Sequence, residues 1–252
     1  RLSGVRLTGL EISQIPDFKA GKALKAKAVT ATPRWWPLLT KREILVGAVT
    51  VDSPEIWLPP APAPARPAKA PAPPAAPAGA AAFAVSSLKV QGGVLTYTDP
   101  KDGLTATLKG LALDAKDVRL DGPVPFSLAF DYALRSGGAS HSGRVEVQGK
   151  LDPAGGDSAK ASLTVEPLSI TFDGLKVRAS GKVSDLPNPK VDLELSLPRV
   201  DRSQLAALAA APEGFTLPAL SGPLKAKTSA KGLGIETLEL KGDGASLALR
   251  AV

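Results

Sequence analysis

Cysteine and methionine are both absent, and histidine occurs once, at His141. Without cysteine there is no disulfide, no thiolate metal site and no cysteine nucleophile, and the redox compartment stays open. A single histidine excludes a centre built on several imidazoles. Aromatic residues make up only 4% of the chain, so a core has to be assembled mainly from Leu, Val and Ala. No apolar run approaches the roughly 18 residues that a membrane-spanning helix needs. Position 1 also lacks methionine, and both Arg1-Leu2-Ser3 and the end at Val252 read as strand. We therefore read the chain as a fragment, and the absence of a signal peptide says nothing about the full-length protein.

The 252 residues are 44% apolar and 22% charged, enough for one large all-β domain or two ordinary ones, and too apolar for wholesale disorder. The net charge of +7 is uneven. Residues 1–58 carry nine Lys/Arg against five Asp/Glu; residues 59–82 add Arg66 and Lys69; residues 83–252 hold twenty against nineteen. A nucleic-acid interface concentrates positive charge on one face, often with aromatics interleaved. Here basic and acidic residues alternate along strands, as on solvated sheet faces, and no nucleic acid is expected as a partner.

One composition break divides the chain. Residues 59–82 read PPAPAPARPAKAPAPPAAPAGAAA, with nine prolines. Proline denies both a helix and a sheet ladder their hydrogen bonds, so this stretch is a linker between an N-terminal β segment (1–58) and a β-meander (83–252). Small Ala side chains give an SH3-type reader little to hold.

Both flanks alternate with period two, the pattern of half-buried strands. Phe126, Leu128, Phe130, Tyr132 and Leu134 form the clearest stripe; Val145 and Val147, Leu163 and Val165, and Leu193 and Leu195 repeat it. Turn signals separate the runs, including Ser136-Gly137-Gly138, Asp173-Gly174 and Pro187-Asn188-Pro189. Spacings of about 8–14 residues suit antiparallel hairpins. In places the alternation slips at a glycine, across Thr8-Gly9 and Lys109-Gly110. Such a slip marks a β-bulge, which adds twist and bend. Helices are scarce. Asp201 with Gln204 resembles a capping box opening a short helix over 201–211 that Pro212 ends, and a helical turn fits Trp35 to Leu39. The expected fold is thus mostly β: a strongly bent antiparallel sheet with one or two short helices.

Two short helices cannot roof such a sheet. Its apolar face has to meet a second sheet, close into a barrel, or meet something that is not protein. A β-sandwich is the ordinary outcome.

Residues Val5 to Leu58 and Leu88 to Ala115 form two stretches that resemble the AsmA family of bacterial envelope proteins. The first runs from Val5-Arg6-Leu7 through Pro37-Leu38-Leu39 to the strand Ile44-x-Val46-x-x-Val49-x-Val51-x-x-Pro54-x-Ile56-x-Leu58. The second opens with Leu88-x-Val90-x-Gly92-Gly93-x-Leu95-x-Tyr97-x-Asp99 and continues into Leu111-x-Leu113-x-Ala115. Pro189-x-Val191-x-Leu193-x-Leu195 followed by Asp201 to Ala211 is similar to the family's strand and short helix near its C-terminal end. The resemblance implies a periplasmic protein of a Gram-negative-type bacterium, anchored in the inner membrane by a helix preceding this chain. It further implies a long, strongly curved antiparallel sheet, groove-like as an open half-barrel, whose apolar groove handles phospholipid or another acyl lipid in outer-membrane assembly or lipid transport.

The residues show no chemistry of a reaction. His141 has Ser140 and Ser142 beside it, but sequence neighbours in a Gly-rich hairpin are badly placed for a triad, and a solvated hairpin tip is the expectation. Gly232-x-Gly234 and Gly242-x-Gly244 complete no phosphate-loop motif. The carboxylates at Asp99 to Asp102 and Asp114 to Asp121 lack EF-hand spacing. No catalytic residue, metal or cofactor is expected. Trp35, Trp36 and Trp57 are expected to plug one end of the apolar face, or to form an interfacial belt with Arg34, Lys41 and Arg42. The candidate lipid-lining residues are Phe126, Leu128, Phe130, Tyr132, Leu134, Val145, Val147, Leu163, Val165, Leu193 and Leu195. The competing reading is a structural or protein-interaction sandwich of the envelope.

Overall fold

Successive side chains of a strand point to opposite faces, so each alternating run above has to become a two-faced strand. The computed structural model describes residues 4–13, 22–34, 45–58, 84–99, 103–201, 216–229 and 232–250. Its strands are β1 (Val5–Ser13), β2 (Lys22–Arg34), β3 (Leu45–Leu58), β4 (Ala84–Asp99), β5 (Leu104–Arg119), β6 (Val124–Ser136), β7 (Ala139–Asp152) and β8 (Ser162–Phe172). They continue as β9 (Leu175–Ser184), β10 (Lys190–Leu197), β11 (Val200–Asp201), β12 (Thr216–Leu217), β13 (Leu220–Ser229), β14 (Gly232–Gly242) and β15 (Ala245–Arg250). The only helical element among the described residues is a single 3-10 turn, Ala154–Gly156.

Thirteen strands form one sheet in chain order, β1 through β10 and then β13, β14 and β15; β11 and β12 make a separate two-residue ladder. The sheet is open, since β1 and β15 are its two edges. The antiparallel expectation holds at every ladder but one: β3 and β4 run parallel. A parallel pair needs a crossover, and in sequence the Pro/Ala-rich stretch is that connection. The strands on its two sides therefore belong to one sheet. The helix expected over 201–211 lies outside the described residues, except that Asp201 ends β11; the turn at Trp35 to Leu39 lies outside them entirely.

The sheet bends where its alternation slips. Register shifts interrupt β5–β6 between Lys109 and Ala112, as the Lys109-Gly110 signal requires, and β8 against both neighbours between Val165 and Leu168. There the unpaired Glu166-Pro167 puts a proline where no ladder donor is needed. At Gly9 the register does not shift: Thr8 pairs Ala28 and Leu10 pairs Ala26.

These slips align into a transverse crease. Gly9 (φ 68), Ser53 (φ 48), Gly92 (φ 66) and Gly110 (φ 62) adopt left-handed conformations at one level of β1, β3, β4 and β5. At the crease each strand exchanges the odd and even sides of its alternation. Val5 and Leu7 give way to Leu10 and Ile12, Leu88 and Val90 to Leu95 and Tyr97, Leu113 and Ala115 to Leu108 and Ala106. The apolar residues thereby stay on one face across the bend.

Candidate functional site

Ladder partners share a face, so the registers can be followed across the molecule. One row runs Val51, Val90, Leu113, Leu128, Val147, Leu168, Ala179 and Leu195 from β3 to β10. Leu193, Leu224, Leu238 and Leu249 carry the same face to the far edge. All eleven candidate lining residues fall on it. Leu128 pairs Val147, Phe130 pairs Val145, Val165 reaches Leu193 through Gly181, and Leu163 lies opposite Leu151 and Val183. Ten are half-buried and Val165 is buried.

What shades this face is itself. In β10 the exposure alternates strictly, the apolar residues half-buried and the polar ones exposed. Every close backbone approach between described elements is between ladder neighbours, so the strands meet edge to edge. The buried apolar side chains are few and mostly Ala and Val, with Ala26, Ala115, Ala161, Val165 and Val200 among them; Leu220 and Leu240, each 4% exposed, are the larger ones. At the edges the apolar residues lie open: Leu7 on β1 is 55% exposed and Leu247 on β15 is 52% exposed.

Two aromatic side chains on this face cover glycines of the next strand, filling space that lacks a side chain. Phe126 lies opposite Gly149 and Tyr132 opposite Gly143. The Tyr132 hydroxyl crosses β7 and donates to the Thr171 carbonyl on β8 at 3.0 Å. Its phenol is raised above the ordinary tyrosine value, by burial first and by the Asp173 charge second.

His141 is not the solvated tip expected. It sits on the apolar face of β7 opposite Leu134, and its ring stacks on Phe172 with centroids 5.1 Å apart. Its Nδ1 lies 2.6 Å from Asp173 Oδ2, while Asp173 Oδ1 accepts the Ser142 backbone N–H at 2.8 Å. These bonds, the backbone one foremost, hold the Asp173 carboxyl below the usual carboxylate range. An ionised carboxylate only accepts, so Nδ1 carries the shared proton. Ser140 and Ser142 alternate onto the opposite face of β7, so no serine–histidine triad forms. The partnership with Asp173 was invisible in sequence because 32 positions separate the two residues.

The opposite face is polar and cross-linked by ion pairs: Lys89 to Asp114 at 3.3 Å, Arg144 to Asp131 at 3.1 Å and to Glu146 at 2.8 Å, Lys225 to Asp192 at 3.9 Å. It bears a shallow depression of about 440 Å³ bordered by Lys89, Gln91, Asp114, Ser127, Glu146 and Gln148. Trp57 pairs Thr96 and alternates with Ile56 and Leu58, which places it on this side rather than at the end of the apolar face. Trp35 and Trp36 lie outside the described residues. No cluster of metal-ligating side chains occurs among the described residues, and no described helix is long and apolar enough to cross a membrane. Compared with known protein families, with curated proteins and with solved structures, the chain matches none of them.

Proposed function

We propose that this chain is a non-enzymatic, AsmA-like envelope protein whose sheet holds phospholipid or another acyl lipid against its apolar face. The observation that supports the reading is the apolar face itself, which runs across thirteen strands and along which ten of the eleven candidate lining residues are half-buried. Burying an acyl chain recovers roughly 0.8 kcal/mol per methylene whichever apolar wall it meets. A wall without interruption therefore offers a sliding chain nearly equal energies along its length, while the headgroup stays at the wet margin. No chemistry is needed, and no cofactor. A periplasmic location with an inner-membrane anchor preceding the chain follows from the family resemblance and belongs to the same proposal.

The test is direct. The purified protein is examined by native mass spectrometry for bound phospholipid, and a photo-crosslinking residue is placed at Phe130 or, on the other face, at Ser127. Lipid bound and labelled from Phe130 but not from Ser127 is expected. A folded, lipid-free protein that labels added phospholipid equally from both positions, or from neither, overturns the proposal. The two open edges favour a second reading, a protein-interaction module, in which the edges bind and the apolar face stays lipid-free.

A further inference from the structure

We infer that β1 docks onto the β1 of a second copy of this chain, antiparallel about a two-fold axis between Thr8 and Gly9, with Arg6 opposite Glu11. Among the described residues β1 has one ladder neighbour, β2, and its other side is a sheet edge, the usual template for strand addition. Val5, Leu7 and Ile12 on it are 63%, 55% and 48% exposed.

The sequence of β1 is complementary to its own reverse. In this register Leu7 meets Leu10 and Val5 meets Ile12 on the apolar face, while Arg6 meets Glu11 on the polar face. The symmetry makes each contact twice, so both apolar pairs and the opposite-charge pair are doubled. The left-handed Gly9 does not obstruct the pairing. The β1–β2 ladder already accommodates the Gly9 kink without a shift of register, and the two-fold axis sets it against its own copy. The other edge fits less well. β15 has six residues to the nine of β1, and self-pairing about Ala248 aligns Leu247 with Leu249 without an opposite-charge pair. Joining β15 to β1 leaves free edges that grow without closing. The paired β1 strands carry the apolar face from one copy into the next. The inference stands on the strand's register and charges, independently of what that face binds.

The absence of cysteine makes the test clean. Sedimentation equilibrium of the full chain is expected to show a reversible dimer. Arg6→Glu places like charges opposite each other twice and weakens the dimer about tenfold; Glu11→Arg does the same. The doubly exchanged Arg6→Glu/Glu11→Arg restores it. In the otherwise unchanged chain, Leu7→Cys/Leu10→Cys oxidises to a covalent dimer, whereas Leu247→Cys/Leu249→Cys does not cross-link between copies. A monomer at all concentrations, a dimer indifferent to the charge exchange, cross-linking through β15, or growth into polymers each overturns the inference.

Discussion

At the scale of single residues, glycines and one aspartate decide how neighbouring strands approach. A methyl group on Gly143 would collide with the Thr171 carbonyl and with the Tyr132 hydroxyl that donates to it. Gly143→Ala is therefore expected to cost about 1–3 kcal/mol, read as a lower urea midpoint. Asp173 ties the β8–β9 turn to β7 through Ser142 and His141. Because its folded carboxyl lies below the unfolded value, the stabilisation is complete above the ordinary carboxylate range. It is lost as pH falls through the folded value. Asp173→Asn is expected to lower Tm at neutral pH, with the difference from the parent shrinking on acidification. A difference independent of pH would assign the loss to geometry alone.

At the scale of elements, the crease is a conformational device. A Cβ on Gly110 would meet nothing closer than Asp131 Oδ2 at 3.7 Å, an ordinary contact. The glycine is required by its φ of 62° and not by space. Gly110→Ala is expected to cost about 1–2 kcal/mol, and Gly110→Asn less, since asparagine tolerates the left-handed region. Equal losses for the two variants would mean that packing governs the position. The same scale explains a partial success in reading strands. The slip at Lys109-Gly110 announced an extra residue, and the ladder contains one. The slip at Thr8-Gly9 looked identical but leaves the register unshifted, since one residue of β1 and one of β2 separate the pairs Thr8–Ala28 and Leu10–Ala26. One strand cannot reveal what its neighbour does.

At the scale of the molecule, the sheet is wide and open. Thirteen strands spaced by about 4.8 Å give a breadth of roughly 60 Å before bending, whereas a compact globule of this length has a radius of gyration of about 18 Å. Small-angle scattering is expected to give a clearly larger value, and a value near the globular one would mean that the sheet is folded over on itself. Apolar dyes are expected to bind the native protein. Phe130→Asp, which puts a carboxylate on the uncovered face, should cut that binding several-fold while Ser127→Asp leaves it unchanged. Equal effects would remove the distinction between the faces.

Much of this was legible in the chain. Period-two alternation placed the strands from Val124 to Leu197 and sorted Phe126 through Leu195 onto one side, because side-chain direction in a strand follows from covalent geometry alone. Four things were not legible. The parallel joining of β3 to β4, the alignment of Gly9, Ser53, Gly92 and Gly110 into a crease, the closing of His141 onto Asp173 and the reversal of Trp57 to the polar side all depend on which strand lies beside which. Alternation along one strand determines its two faces. Only pairing between strands, set by contacts far apart in sequence, decides what each face becomes.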